Sequence, residues 1–354
     1  MIIAWKVFLA QRERLFTLCF LRHFSLSKKT ARISANSSLA WLAAASETGR
    51  GTARSGPVMK LVETIPVGNV LGECVLWDER TSSLWWTDIE GRRLHRFDWN
   101  DRALHTYATP ERLTAFGLVE GRDQLIAAFD CGLALFDPQT GTKGPCLKPE
   151  GLVAGTRMND GRVDRQGRFW VGSMMEAESA AATGRLYCVA SGRIETRERG
   201  IGIANGLGFS PDSRWCYFAD SRQGVIWRYG FDAATGQLGS REVFARSQGG
   251  AVPDGAAVDG EGYVWSAQWG GGAVVRYAPD GRTDRVLEIP VLLPSCVAFG
   301  GPDLTMLCVT SARQGAGEAQ TGAGNLFVYN APVRGLPESR FKIDGWPGTA
   351  APRR

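Results

Sequence analysis

From Met59 onward the chain alternates short apolar runs with Asp/Gly turns, beginning with Lys60-Leu-Val-Glu-Thr-Ile-Pro66. One unit recurs: a small or polar turn, an apolar strand, an Asp/Gly turn, an aromatic-rich strand, a Gly turn and a third strand. Its clearest copies begin Cys74-Val-Leu-Trp-Asp78 and Leu207-Gly-Phe-Ser-Pro-Asp212, followed by Leu84-Trp-Trp-Thr-Asp88 and Trp215-Cys-Tyr-Phe-Ala-Asp220. Others start at Arg162 and Ala256, and weaker copies at Phe116 and Val297. Alternation over four to eight residues between such turns is the pattern of β-strands, and no long helical period appears. The first strands end at Trp77, Val119, Val163, Phe209, Val258 and Phe299, at spacings of 42, 44, 46, 49 and 41. A repeat of three or four strands at this period predicts an all-β fold, a six-bladed β-propeller. An irregular sandwich would not keep one strand order at so regular a spacing. The strand at Lys60 is expected to complete the blade holding Asn325-Leu-Phe-Val-Tyr329, leaving no open sheet edge.

In a propeller the residue just before each innermost strand sits at the mouth of a central channel. Four residues before each marker lie Glu73, Ala115, Asn159, Asn205, Asp254 and Ser295. Converging carboxylates and amides are costly in a confined place unless something pairs them. One divalent cation in the channel would balance two carboxylates and accept amide oxygens. All-oxygen ligation suits Ca²⁺, Mg²⁺ or Mn²⁺, with Fe²⁺ and Zn²⁺ left open. The plainer reading is that Asn159-Asp-Gly, Asn205-Gly and Asp254-Gly are ordinary turns; it explains each singly but not four carboxylate and amide residues at one register. Arg157 lies at the same mouth, where it can bind a substrate oxygen or serve as a salt-bridge partner. Trp269 reads either as a substrate wall or as blade packing.

Composition removes several alternatives. The three histidines are His23, His95 and His105, too few and too early for a His-rich zinc centre. Residues 1–58 carry 9 Lys+Arg and 2 Asp+Glu, against 41 and 36 in the whole chain, so the body holds 32 and 34. The basic excess is confined to that extension, and nothing in the body suggests a nucleic-acid face. Membrane association is not expected either, because no apolar run approaches the roughly 18 residues of a spanning helix. Eight cysteines include no C-x-x-C pair and several sit in strand-like runs, so buried reduced thiols are expected. Residues 1–58 fit a targeting presequence loosely and a secretory signal badly; the favoured reading places the natural start at Met59. The expected organisation is therefore an extension at 1–58, a propeller domain at 59–345 and a flexible tail at 346–354.

The segments Leu71-Gly-Glu-Cys-Val-Leu-Trp77, Arg157-Met-Asn-Asp-Gly-Arg-Val-Asp164 with Gly167-Arg-Phe-Trp-Val-Gly-Ser-Met174, Ala204-Asn-Gly-Leu207 and Pro253-Asp-Gly255 also carry a resemblance. From about 60 to 345 the chain resembles the sugar-lactonase family that includes gluconolactonases, arabinono- and xylonolactonases and regucalcin. The resemblance implies a metal held by Glu73, Asn205 and Asp254, with Asp254 also the proton-transfer residue. It implies substrate contacts by Arg157 and Asn159. The family's acidic residue after Gly-Thr-Met falls within Met174-Met-Glu-Ala-Glu178, which makes Glu176 a further candidate contact.

These residues lead to metal-dependent hydrolysis of a sugar lactone to its aldonic acid, without a catalytic histidine or a nucleophilic serine. The cation would polarise the carbonyl and activate water, and Asp254 would accept the proton. A metal-binding regulatory propeller of regucalcin type, without significant catalysis, is the alternative. A two-metal phosphotriesterase-like site would need the histidines this chain lacks after residue 105, and a protein-interaction propeller would not need the polar register. A cytoplasmic enzyme acting on a small molecule, monomeric or weakly dimeric, is the expected setting.

Overall fold

The computed structural model describes residues 58–130, 132–149, 152–177, 181–316 and 320–347; the proposed extension 1–58, apart from Val58, and most of the tail lie outside the described residues. Within them, 24 strands and no helix build six four-stranded antiparallel sheets. Five sheets take their strands in chain order. The sixth has Pro294–Gly300, Met306–Ser311 and Leu326–Asn330, and its outer place is filled by Leu61–Ile65. That strand pairs Thr64 with Phe327 and Ile65 with Leu326, so the chain ends close the ring as the alternation predicts. No helix among the described residues is long and apolar enough to cross a membrane.

Burial falls from the channel outwards. The innermost strands Gly72–Asp78, Leu113–Leu118, Ala204–Phe209 and Pro294–Gly300 are buried at every residue, whereas the outer strand Gln237–Arg246 is mostly exposed. The aromatic second strands supply the core between blades: Trp86, Trp170 and Trp265 are fully buried. Two of these are anchored alike. The Trp170 indole donates to Asp164 Oδ2 at 2.9 Å, and the Trp265 indole to Asp259 Oδ2 at 2.9 Å. The other carboxylate oxygen accepts turn N–H groups, from Gln166 and Arg168 in one blade and Glu261 and Tyr263 in the other. In these two repeats the Asp of the Asp/Gly turn is thus a buried acceptor as well as part of a bend. No disulfide joins the described cysteines, and all but Cys146 are buried, as expected of thiols in strand positions.

The segment after residue 333 is not a strand of any blade. It crosses the end of the channel remote from Glu73. Gly260 N–H donates to Arg334 O, Phe341 N–H to Leu118 O and Lys342 N–H to Gly167 O. Glu338 lies 3.8 Å from Arg162, and Phe341 packs edge-on against Trp346, both rings buried. Trp346, placed by the sequence at the start of the tail, therefore belongs to the packed body in the described residues.

His95 is part of this packing and not of the channel mouth. Its ring stacks on Trp86 at 5.1 Å, and Nδ1 lies 3.0 Å from Thr106 Oγ1. Burial, the largest influence, pushes its pKa down from 6.5 to about 4. The unfolded chain therefore takes up a proton as pH falls through 6.5 that the folded chain refuses until about 4, so stability is lost across that window. A thermal-melt series from pH 7 to pH 4 should show His95→Gln losing less stability than the parent, by up to about 3 kcal/mol. Parallel curves would contradict this.

Candidate active site

Every innermost strand carries a one-residue bulge at or beside the register picked out from the sequence. Pairing skips between Glu73 and Leu76, Leu113 and Ala115, Met158 and Gly161, Asn205 and Gly208, Pro253 and Ala256, and Pro294 and Val297. A bulge frees residues from the ladder and re-aims their side chains. The backbone following two candidate ligands is left-handed: φ is 48° at Cys74 and 58° at Gly206. At Gly206 a Cβ would meet Ala219 Cβ at 2.8 Å and Asp254 O at 3.0 Å, which is why glycine follows Asn205. At Cys74 a non-glycine residue holds that conformation at a cost of about 1 kcal/mol or more.

Glu73, Asn159, Asn205, Asp254 and Arg157 are all buried. The hydrogen bonds of Arg157, Asn159 and Asn205 form one chain across three blades. Arg157 Nη1 donates to Asn159 Oδ1 at 2.6 Å. Asn159 Nδ2 donates to Asn205 Oδ1 at 2.9 Å and to Ala204 O at 2.8 Å. Asn205 Nδ2 donates to Ser221 Oγ at 2.8 Å, and Ser221 Oγ donates to Pro253 O at 2.6 Å. The proton count fixes both amides. Arginine can only donate and a carbonyl can only accept, so each end of the chain dictates the same orientation. The Asn159 and Asn205 oxygens each retain a free lone pair.

The two carboxylates are held differently. Burial, with the nearby charge of Asp160, pushes the Glu73 pKa up to about 8. Burial, then the charges of Glu73 and Asp160, raises Asp254 well above the usual carboxylate range. What relief there is comes from one backbone N–H each, of Cys74 and Gly255, and from the field of Arg157. Among the described residues no three His, Cys, Asp or Glu side chains form a metal-holding group. The donor set here is two carboxylates and an amide oxygen. Two buried acids with no ion-pair partner among the described residues, beside an oriented amide oxygen, are what a hard divalent cation satisfies, and in this chemical sense the residues fit one.

Glu176 lies at the rim. Arg112 grips it with two parallel bonds, Nη1 to Oε1 at 2.7 Å and Nη2 to Oε2 at 3.1 Å. That contact, above all, holds its carboxyl below the ordinary range. Glu176 Oε1 is 3.6 Å from Arg157 Nε. The remaining register positions do other work: Ala115 is apolar and buried, and Ser295 Oγ donates to Gly72 O, stapling the last blade to the first. Trp269 ends its strand opposite Val252, two residues from Asp254.

Sequence reasoning passed over Asp160, Ser221 and Arg112. Asp160 accepts the Leu207 N–H at 3.1 Å and raises both carboxylates. It stands beside Asn159 in the bulge, so taking two residues per blade would have found it. Ser221 follows the Asp that ends a second strand, and no local pattern marks its role.

Comparison with known proteins agrees with this architecture. The family described as SMP-30/Gluconolactonase/LRE-like region matches residues 71–313. A 6-deoxy-6-sulfogluconolactonase of Pseudomonas putida is 39% identical over 282 residues, covering 77% of this chain and 95% of that protein. An L-arabinolactonase of Azospirillum brasilense is 39% identical over 284 residues, covering 77% and 92%. The crystal structure of a calcium-binding protein, regucalcin, from Agrobacterium tumefaciens superposes with a TM-score of 0.75 at 33% identity, covering 80% of this chain and 98% of that one. Matched by that family over 71–313 and 39% identical to two relatives across most of their length, this chain belongs to the SMP-30/gluconolactonase/LRE-like family.

Proposed function

We propose that this protein is a hydrolase that opens a sugar lactone to its aldonic acid, with one divalent ion held by Glu73, Asn205 and Asp254. The observation that carries the reading is the pair of buried carboxylates, Glu73 and Asp254, both raised by burial, Glu73 further by the charge of Asp160 and Asp254 by the charges of Glu73 and Asp160, beside an amide oxygen fixed by the Asn159–Asn205–Ser221 chain. Its relatives named sulfogluconolactonase and arabinolactonase support the reaction class.

When bound, a divalent ion supplies Lewis acidity to the lactone carbonyl and lowers the pKa of a neighbouring water. The protein's own groups do the rest. Asp254 accepts a proton from the attacking water; burial and the charges of Glu73 and Asp160 raise its proton affinity above that of an ordinary carboxylate. As the acyl–oxygen bond of the ring breaks, that proton passes to the departing ring oxygen, which becomes the hydroxyl of the open acid. Arg157 and Asn159 bind and orient substrate oxygens, Arg157 with its charge in a confined, poorly solvated place. No histidine is required, in keeping with the position of His95 in the core.

The test uses protein stripped of metal. Proton release is followed on five- and six-carbon aldonolactones, with Mg²⁺, Ca²⁺, Mn²⁺, Zn²⁺ or Fe²⁺ returned and spontaneous hydrolysis subtracted. Saturable turnover restored by an added ion is expected. Ion binding without hydrolysis of any lactone would favour the non-catalytic metal-binding propeller instead.

A further inference from the structure

We propose that Arg112 is a positioning and specificity residue of this site. It locks Glu176 beside Arg157, and the resulting acidic rim selects uncharged polyhydroxylated lactones over lactones bearing a sulfonate or carboxylate. The inference rests on the lactonase reading above.

Arg112 directly precedes the innermost strand of the second blade, and it spends its donors on acids. Nε binds Asp130 at 2.9 Å, Nη1 binds Glu90 at 3.2 Å and Glu176 at 2.7 Å, and Nη2 binds Glu176 at 3.1 Å. A guanidinium has five N–H donors, so these contacts leave at most one for a ligand. Arg112 therefore cannot act as an anion clamp without breaking a carboxylate pair. Its contribution is to hold the Glu176 carboxylate in one place with a planar two-point grip.

That placement creates a donor–acceptor pair. Arg157 is 7% exposed, and its Nε has no hydrogen-bond partner among the described residues. Glu176 Oε1 faces it at 3.6 Å, too far for a direct bond. A sugar hydroxyl bridging the two from one side, about 2.8 Å from each, can accept from Nε and donate to Oε1, satisfying both. A sulfonate or carboxylate oxygen can only accept, so it would leave Glu176 facing another negative charge. The charges of the cluster point the same way. Glu90, Asp130 and Glu176 together outnumber Arg112 and Arg157 by one negative charge.

The experiment compares gluconolactone with its 6-deoxy-6-sulfo analogue on the metal-loaded full chain. KM and kcat are measured where a lactone is turned over, and an inhibition constant against the best substrate where it is not. The parent should favour the uncharged lactone by about tenfold or more, the scale of one hydrogen bond to a charged group. Arg112→Met should raise KM by about tenfold with a smaller change in kcat, and Arg112→Lys should recover part of the loss because it keeps the charge but not the fork. The double variant Glu90→Gln/Asp130→Asn frees donors on Arg112 and should narrow the preference by about tenfold. This variant and Arg112→Lys carry the test if Arg112→Met does not fold. Equal or better use of the sulfonated lactone by the parent would overturn the proposal. So would a folded Arg112→Met with unchanged KM and preference. Absence of hydrolysis on every lactone is a different pattern: it overturns the lactonase reading and this proposal with it.

Discussion

Asp254→Asn is expected to lower kcat/KM for lactone hydrolysis by at least about 10³-fold while leaving the protein folded. Loss of a positioned general base alone costs about 10²- to 10⁴-fold, and Asp254 is proposed to serve as a metal ligand as well. The substitution keeps the shape and removes both the proton acceptor and one of the two ligand charges. The fold should tolerate it because Asp254 stabilises nothing through its charge in the metal-free protein: burial and the fields of Glu73 and Asp160 all disfavour its ionised form. Circular dichroism and thermal melts should therefore match or exceed the metal-free parent. A variant with more than about a tenth of parental activity would contradict the role given to Asp254.

The second large effect is on the metal. Glu73→Gln should weaken divalent-ion affinity by about a hundredfold or more, because a hard cation loses one of two anionic ligands in a buried site. Titration calorimetry on stripped protein measures this directly. The same variant should be at least as heat-stable as the metal-free parent and should gain less from added metal, since ligand-linked stabilisation scales with the logarithm of affinity. Unchanged affinity would place the ion elsewhere. Ser221→Ala offers a graded comparison: it removes the hydroxyl that orients the Asn205 amide through a 2.8 Å bond, without touching a ligand atom.

The architecture was legible because a propeller writes its geometry into a period. Six first strands at spacings near 45 residues gave the blades, and the strand at Lys60 announced the closure seen between Leu61–Ile65 and Leu326–Asn330. Counting back four residues landed in or beside the bulge of every blade, because the bulge stays within a residue or two of the same place relative to the end of the strand. What counting could not show was contact between side chains of neighbouring blades. Arg112 meets Glu176 across 64 residues of sequence, and the blade that carries Arg112 offers only Ala115 at the register position. Asp160 was overlooked because a bulge brings two neighbouring residues to one place while a register takes one. The segment over the far end of the channel left no alternation to read: Phe341 and Trp346 are isolated aromatics that become core only when the chain crosses the blades.

One divalent ion is proposed to sit among Glu73, Asn205 and Asp254. Anomalous diffraction from crystals of the full chain soaked in Mn²⁺ would locate it. A single strong channel peak is expected, with an oxygen of each of these three residues within about 2.6 Å. A strong peak bound by other residues, or no channel peak in crystals of protein whose Mn²⁺-dependent lactone hydrolysis has been measured, would contradict this placement.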